Sequence, residues 1–529
     1  MSPRPLRSVA VLLACVLLAT ACFASVYTAQ PKLIVIIVID QYRADLLERG
    51  RAQFGEGGFR LFTDRGAWFT NCNYDYANTE TAPGHSTLLT GAYSDGHGIA
   101  DNEWWDAQRH RMVTSVFDDS TKLVGGEGVG ASPHNLLSDT LGDEMKLATG
   151  GKSRVFTVSL KDRSAVLPGG YSADGAFWIE PRSGDWVTST YYMSQLPSWV
   201  AQRNAAHSAD KYWNQEWKDE SGQVLARTTR PAGGQASFYG VIGATPFAND
   251  YELEFARELI TQEKLGESGA TDLLVISLSA NDILGHAVGP DDPKMVAMTQ
   301  AMDRQLAEFF SFLAQRYGLA NVWLGLSADH GVSPAPVYAK KFRFPAEIWN
   351  QAKFQSDLNA ALAKAAGHSG NFIAGRDGDH VFLAPEAFGN MKEADAERLV
   401  GQTLLQLGIV RYMTKSQLAA GEVPNDASGR QWLHSYSNYG GWYVVAVPPP
   451  FTFPWGNATG TTHGSPYFYD THVPLALYGV PFQPGVYRQQ AQPIDMVKTF
   501  SSLLGINAPS RAAGRVLTEA LSRAQGAAQ

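Results

Sequence analysis

The sequence predicts an α/β protein built on a large central sheet, mostly parallel or mixed, flanked by helices and carrying inserted subdomains over its active face. Three observations lead there. Leu33–Ile39, Asp272–Leu278 and Asn321–Ala328 are near-continuous apolar runs, the first mostly β-branched, as expected of strands covered on both faces by helices. Stretches of helical periodicity precede two of these runs, over Tyr251–Glu263 and Pro293–Tyr317, so that helices and strands alternate. A carboxylate stands at or just beyond the end of each run: Asp40, Asp282 and Asp329. Ligands collect at the carboxyl ends of strands in such sheets, and a charge beside so apolar a run is costly unless paired or bound to metal.

With 529 residues, 44% of them hydrophobic and 18% charged, the chain can bury a large core and lies outside the disordered class. A net charge of -8 and the lack of any long Lys/Arg block argue against a nucleic-acid-binding domain. There is no Walker A loop, dinucleotide fingerprint or internal repeat. Residues 1–29 place Arg4 and Arg7 before an apolar run from Val9 to about Ala24 and contain no acidic residue. This is the pattern of a secretory signal peptide, shorter than a permanent membrane span. It predicts a periplasmic or secreted protein with no transmembrane domain after signal removal; a lipid anchor on Cys22 is the alternative. Cys15 and Cys22 fall in the leader, which leaves Cys72 without a disulfide partner and best read as a small buried apolar residue.

The first part of the catalytic α/β domain is expected over 31–166. After Leu33–Ile39, residues 55–70 read as a helix or turn and a short strand at Gly66–Thr70; Leu136–Ala148 has helical spacing, and Arg154–Leu160 is a second strand. It empties into Lys161-Asp162-Arg163. In an extended segment positions i and i+2 point the same way, so Lys161 and Arg163 can converge on one ligand. Residues 167–246, rich in Gly, Ser, Trp and Tyr, read as an insertion that shapes substrate entry.

The domain resumes over 247–339, where Asp282 and His286 stand four apart, the spacing that sets two side chains on one helical face. Oxygen paired with nitrogen in this way suits zinc. Residues 340–430, with helices near Gln351–Ala365 and Met391–Leu407, are expected to form a second insertion. The final part, 431–510, supplies strands at Trp442–Val447 and His472–Gly479, a loop at Gly460–Ser465 bearing His463, and a helix at Asp495–Leu504; 511–529 is an Ala/Arg-rich tail.

One stretch gives these charges something to act on. Asn78–Gly91 reads as a loop that turns into a short buried helix, with Pro83 and Gly84 interrupting the polar run, Ser86–Leu89 making one or two turns, and Gly91 as the stop. Thr81 then lies just ahead of a helix N-terminus, where unpaired amide hydrogens favour an anionic oxygen. Asn102, closing the turn-like run Asp95–Asn102, can bring its amide to the same pocket. Asp40, Asp282 and Asp329 facing one pocket would repel one another and resist ionisation, a difficulty that divalent cations remove.

The motifs Val38-Ile39-Asp40, Thr81-Ala82-Pro83-Gly84-His85, His97-Gly98-Ile99-Ala100-Asp101-Asn102, Lys161-Asp162-Arg163, Asp282-Ile283-Leu284-Gly285-His286, Ala328-Asp329-His330-Gly331 and Thr462-His463-Gly464 follow one another in this order. Through them the sequence resembles the alkaline phosphatase superfamily over residues 31–505, and in particular its exported bacterial branch with a threonine nucleophile. The resemblance implies two Zn2+ ions, one held by Asp282, His286 and His463, the other by Asp40, Asp329, His330 and the oxygen of Thr81. It also implies that Asn102, Lys161 and Arg163 contact phosphate oxygens. His85, His97, His472 and Asp470 receive no metal, and structural hydrogen bonds are expected of them.

A threonine hydroxyl is a weak nucleophile near neutral pH and needs a metal to free its oxygen; two cations roughly 4 Å apart can bind the attacking and leaving oxygens of an in-line displacement. Three carboxylates and a Thr81 alkoxide balance the charge of two zinc ions, which leaves Lys161 and Arg163 to match a phosphate monoester dianion. The expected function is a zinc-dependent phosphate monoester hydrolase acting on small-molecule phosphate esters through phosphothreonine, with secondary diesterase activity. A nucleotide pyrophosphatase or phosphodiesterase with the same metals is the nearest alternative, and a metal-independent binding protein is another. A sulfatase would need Cys or Ser followed by x-Pro-x-Arg, which residues 81–85 lack.

Overall fold

Seven consecutive apolar residues leave Leu33–Ile39 (β1) no side to turn toward water, and all seven are buried. Three strands of similar character follow in the chain: Val155–Ser159 (β2), Asp272–Leu278 (β3) and Val322–Ser327 (β4), every residue buried. β1 lies between β3 and β4, parallel to both, and β2 flanks β3 in parallel. The computed structural model describes residues 30–230, 237–453 and 460–522; the expected signal peptide, with Cys22, and the last part of the tail lie outside them.

The full sheet has eleven strands in the order Gly485–Tyr487, Ala67–Phe69, Leu475–Tyr478, β4, β1, β3, β2, Gly175–Ile179, Trp186–Ser189, Phe117–Val124, Val129–Ala131. Its centre is parallel and both margins contain antiparallel pairs, so the sheet is mixed. The helices Pro246–Gln262 and Pro293–Tyr317 each start with a proline in the first turn, where its missing N–H has no partner to lose. Their apolar faces join the strands in one main core, each fully buried Leu, Ile or Val contributing about 1.5–3 kcal/mol.

A second, four-stranded antiparallel sheet runs Ile373–Asp377, His380–Leu383, Tyr443–Val447, Arg411–Thr414. The helices Gln351–Ala366 and Glu393–Gln406 close a separate core on it, through Phe354, Leu358, Val400, Leu404 and Val444. Two placements differ from the sequence expectation. Tyr443–Val447 pairs in this smaller sheet, although it lies in the stretch expected to complete the catalytic domain. Conversely, Gly175–Ile179 and Trp186–Ser189, inside the expected 167–246 insertion, extend the central sheet. Strands of four or five residues carry no local mark of which sheet they join; the pairing partner decides. The aromatic residues of this stretch fill the core: Trp186 stacks on Phe255 with centroids 3.9 Å apart, and Trp199 packs against the same ring.

The expected tail also divides. Up to residue 522 it is held down, with Ala513 N–H donating to Gly91 O at 2.8 Å and Arg515 N–H to Asp495 Oδ1 at 2.8 Å. Cys72 is buried and free.

Candidate active site

The order β4, β1, β3, β2 sets four carboxyl ends side by side. Asp40 follows β1 directly, Asp329 lies two residues past β4, and Lys161 two past β2. Asp282 sits in the first turn of a helix, Ala280–Val288, that follows β3. Asn281 Nδ2 donates to the carbonyls of Asp40 (2.9 Å) and Gln41 (3.1 Å), locking that helix to the end of β1.

Asp40, Asp329 and His330 form one cluster and Asp282, His286 and His463 another, each with its ligand atoms within 4.8 Å of one another. In the first, His330 Nε2 is 3.4 Å from Asp40 Oδ1 and 3.6 Å from Asp329 Oδ2. All three atoms are buried without a hydrogen-bond partner. Polar atoms are seldom left so in a folded interior, and three aimed at one point form the lining of a cation site. The remaining Asp329 oxygen is held in place, Oδ1 accepting from Gln41 N–H at 3.0 Å and His330 N–H at 2.9 Å.

The imidazoles are oriented alike. His330 Nδ1 meets Gly331 O at 2.8 Å, His463 Nδ1 meets Thr79 O at 2.8 Å, and His286 Nδ1 meets Thr461 O at 3.1 Å. A carbonyl can only accept, so each Nδ1 carries the proton and each Nε2 keeps its lone pair for a metal. His286 Nε2 lies 3.1 Å from Asp282 Oδ1, the helical i,i+4 pair in its expected place, and His463 Nε2 3.9 Å from the same oxygen. The clusters adjoin, for the His330 and His463 rings stack with centroids 3.6 Å apart. Two histidines with one carboxylate, and two carboxylates with one histidine, are donor sets that fit zinc.

Electrostatics explain why these groups need cations. Burial pushes Asp40 up to about 7, and the charges of Asp282 and Asp329 add to the rise. Lys161 Nζ answers part of this, donating to Asp40 Oδ2 at 2.5 Å and Asp282 Oδ2 at 2.6 Å. For Asp282 burial works against the charge, but Lys161 and His286 prevail and hold it well below the usual carboxylate range. Burial draws His330 down to about 4 and His463 well down also, so both rings are neutral and able to ligate.

Thr81 opens the helix Thr81–Thr90, with Glu80 as its N-cap and Gly91, at φ 68°, as its stop. Pro83 and Gly84, expected to precede the helix, belong to its first turns. Proline is tolerated there, and Gly84 lets the helix press on the Asp329 backbone, since a Cβ would fall 2.1 Å from the Asp329 carbonyl oxygen. The Thr81 hydroxyl has no hydrogen-bond partner among the described residues, while its carbonyl accepts from His85 Nδ1 at 2.8 Å. His85 Nε2 accepts from Ser277 Oγ at 2.7 Å, so this ring braces the helix that starts at Thr81. Asn102 is fixed twice: its Oδ1 accepts from Ala82 N–H at 2.9 Å and its own N–H donates to Glu80 Oε2 at 3.1 Å. Its Nδ2 is left as the donor.

Lys161 and Arg163 do not lie on an extended segment. A helix starts at Asp162, with Lys161 as N-cap, so the two cations leave the chain in different directions. Lys161 is engaged by Asp40 and Asp282, because two buried carboxylates offer it more than any neighbouring neutral group. Arg163 is buried at Nε without a partner there. His97, His472 and Asp470 make structural bonds. His97 bridges Thr87 Oγ1 (3.0 Å) and Ile99 N–H (3.1 Å), His472 bonds Thr70 O (3.1 Å), and Asp470 accepts from Ser465 N–H (3.0 Å), steadying the loop that carries His463.

Sequence reasoning passed over Gln41, Glu80 and Tyr239. Gln41, in a left-handed conformation at φ 62°, donates from Nε2 to Asp282 Oδ1 at 2.7 Å. Tyr239 lies close enough to Lys161 and Arg163 for their charges to act on its hydroxyl. Only the position of Gln41 beside Asp40 hinted at a role.

Comparison with known proteins agrees with this geometry. Residues 34–386 match the family described as type I phosphodiesterase / nucleotide pyrophosphatase. Alkaline phosphatase PhoV of Synechococcus elongatus is 33% identical over 93% of this chain and 93% of its own length. A protein of Myroides odoratus described as a calcium-transporting ATPase is 31% identical over 98% of this chain and 100% of its own. The crystal structure of wild-type alkaline phosphatase PafA superposes with a TM-score of 0.85 at 29% identity, covering 94% of this chain and 100% of that one.

Because Asp40 in the metal-free fold titrates near 7 and a carboxyl in the unfolded chain near 3.8, the native state binds the extra proton between those values. Its ionisation therefore costs stability progressively as pH rises through that window, and fully above it. Asp40→Asn is expected to raise the melting temperature of the metal-free protein at pH 8 by several degrees and to change it little at pH 4. Thermal unfolding of both chains at the two pH values checks this; an equal shift at both, or a loss at pH 8, would contradict it.

Proposed function

Because the chain belongs to the alkaline phosphatase superfamily, in a PafA-like bacterial branch with a threonine nucleophile, we propose that it hydrolyses phosphate monoesters at a centre of two zinc ions. The observation that carries this is the pair of adjoining Asp/His clusters, with Nε2 lone pairs and orphaned carboxylate oxygens turned inward, beside a helix that begins with Thr81. Asp282, His286 and His463 would hold one ion; Asp40, Asp329, His330 and the Thr81 oxygen would hold the other. Zinc, when bound, supplies Lewis-acid stabilisation of the attacking and leaving oxygens and lowers the pKa of a hydroxyl it holds.

The chain's own groups do the rest. Thr81 Oγ1 attacks phosphorus as the ester alcohol departs, and water then cleaves the phosphothreonine from the opposite side. Asn102 Nδ2, freed by the tether on its Oδ1, donates to one phosphoryl oxygen. The Arg163 guanidinium offers a fork to two. Lys161 offsets one charge between Asp40 and Asp282 until cations bind, and its ammonium would then be available to the substrate. The leader expected at 1–29 would direct the enzyme to the periplasm or the exterior. The relatives described as alkaline phosphatases and as an ATPase share cleavage at a phosphoryl group.

The matched family description favours a second reading, diester and pyrophosphate cleavage, from the same metals. The ratio of kcat/KM for an aryl phosphate and its methyl diester separates them: the monoester is expected to be the better substrate, and a diester preferred by orders of magnitude would overturn the assignment. Thr81→Ala is expected to remove nearly all monoester turnover while leaving the zinc content intact, measured by steady-state rates and metal analysis. Unchanged turnover would exclude the covalent role. Lys161→Ala and Arg163→Ala should each lower monoester kcat/KM at least tenfold more than diester kcat/KM, about 1.4 kcal/mol of selective stabilisation. Zinc counted on the Lys161→Ala protein tells lost phosphate contact from a disturbed metal cluster, and equal loss on both substrates would show that charge matching does not set the preference.

A further inference from the structure

A third group of acidic side chains surrounds the start of the nucleophile helix. Glu80, Asp101 and Asp377 each present a carboxylate oxygen, and the three oxygens lie within 4.8 Å of one another. They arrive from three places: the N-cap of Thr81–Thr90, the loop leading to Asn102, and the tip of the hairpin joining Ile373–Asp377 to His380–Leu383 in the smaller sheet. The contact is close. A Cβ on Gly378, at the hairpin tip, would fall within bonding distance of Glu80 Oε1, and its φ of +45° is one that glycine tolerates best.

Hydrogen bonds satisfy this group only in part. Glu80 Oε2 accepts from Asn102 N–H at 3.1 Å and Asp377 Oδ2 from Glu103 N–H at 2.6 Å. Asp101, 3% exposed, accepts none, and its Oδ1 is buried without a partner. His380, 1% exposed, brings Nδ1 within 2.7 Å of that oxygen, yet neither of its ring nitrogens makes a hydrogen bond. Arg163 and Arg376 are near enough for their charges to act at Asp377, while Asp379 adds a fourth carboxylate beside Arg376. Were all four carboxylates charged they would outnumber the two arginines, around a buried Asp101 oxygen that accepts no hydrogen bond and faces only the His380 ring.

We propose that Glu80, Asp101 and Asp377 form a third divalent-cation site, separate from the two Asp/His clusters, that takes Ca2+ and ties the four-stranded subdomain to the nucleophile helix. The all-carboxylate donor set is hard, which suits calcium better than zinc, and calcium demands less order of its ligands than magnesium does. The same Glu80 carboxylate anchors Asn102, so a cation here would act as a positioning element for the phosphate donor while touching neither substrate nor reacting atoms.

Full-length, zinc-loaded protein dialysed against calcium-free buffer containing zinc is titrated with CaCl2, with bound calcium and bound zinc counted in the same samples and melting temperatures recorded alongside. Wild type is expected to take up about one calcium per chain beyond its zinc and to melt higher as it does so. Asp377→Asn and, independently, Asp101→Asn are expected to weaken calcium uptake at least tenfold with zinc content unchanged, and to lose the calcium-dependent rise in melting temperature. Wild type binding no calcium, magnesium or manganese beyond its zinc would overturn the proposal, as would variants that bind calcium as wild type does. Preferential saturation by magnesium or manganese would overturn the choice of calcium. A chain holding calcium without zinc would instead count against the two-zinc centre, so the two assignments fail separately.

Discussion

The repulsion among three aspartates buried at the ends of adjacent parallel strands governs this structure. Asp40 and Asp329 are entirely inaccessible and Asp282 nearly so, in surroundings where a lone ionised carboxylate costs several kcal/mol. Lys161 offsets one charge between two of them. The remainder is met by geometry that expects cations: imidazoles whose Nδ1 protons are pinned to backbone carbonyls, and carboxylate oxygens left without donors. The apolar strands are what make this costly arrangement possible, because a core of this size tolerates a few kcal/mol of local strain.

Thr81 is placed by the same economy of parts. One helix, through Gly84, lies directly on the Asp329 backbone, through His85 reaches Ser277 on β3, and through Ala82 fixes the Asn102 side chain. A displacement of the metal cluster would therefore carry Thr81 with it. The smaller sheet reaches the same region from another direction through the Asp377 hairpin, so the subdomain helps define the site's border as well as covering it.

Much of this was legible in the sequence where the signal is local. Asp272–Leu278, Pro293–Tyr317 and Asp495–Leu504 form over the expected residues because a long apolar run or a sustained helical period needs no distant information. Asp282 and His286 meet because four residues of helix bring them together. The misreadings are of the opposite kind. Tyr443–Val447 and Gly175–Ile179 are short strands whose sheet is chosen by partners far along the chain. Lys161 and Arg163 seemed parallel only because the helix starting at Asp162 was read as extended. Gln41 and Asp377 acquire meaning from residues hundreds of positions away, Asp282 for Gln41 and Glu103 for Asp377, and Glu80 from Asn102 beyond its own helix.

The proposed chemistry requires two cations sharing the space between the Asp/His clusters and Thr81. Diffraction data collected on either side of the zinc absorption edge test this most directly. Two anomalous peaks about 4 Å apart are predicted, one among Asp282, His286 and His463 and the other among Asp40, Asp329 and His330 within bonding distance of the Thr81 hydroxyl. A single peak, or zinc bound only outside these clusters in active protein, would contradict it.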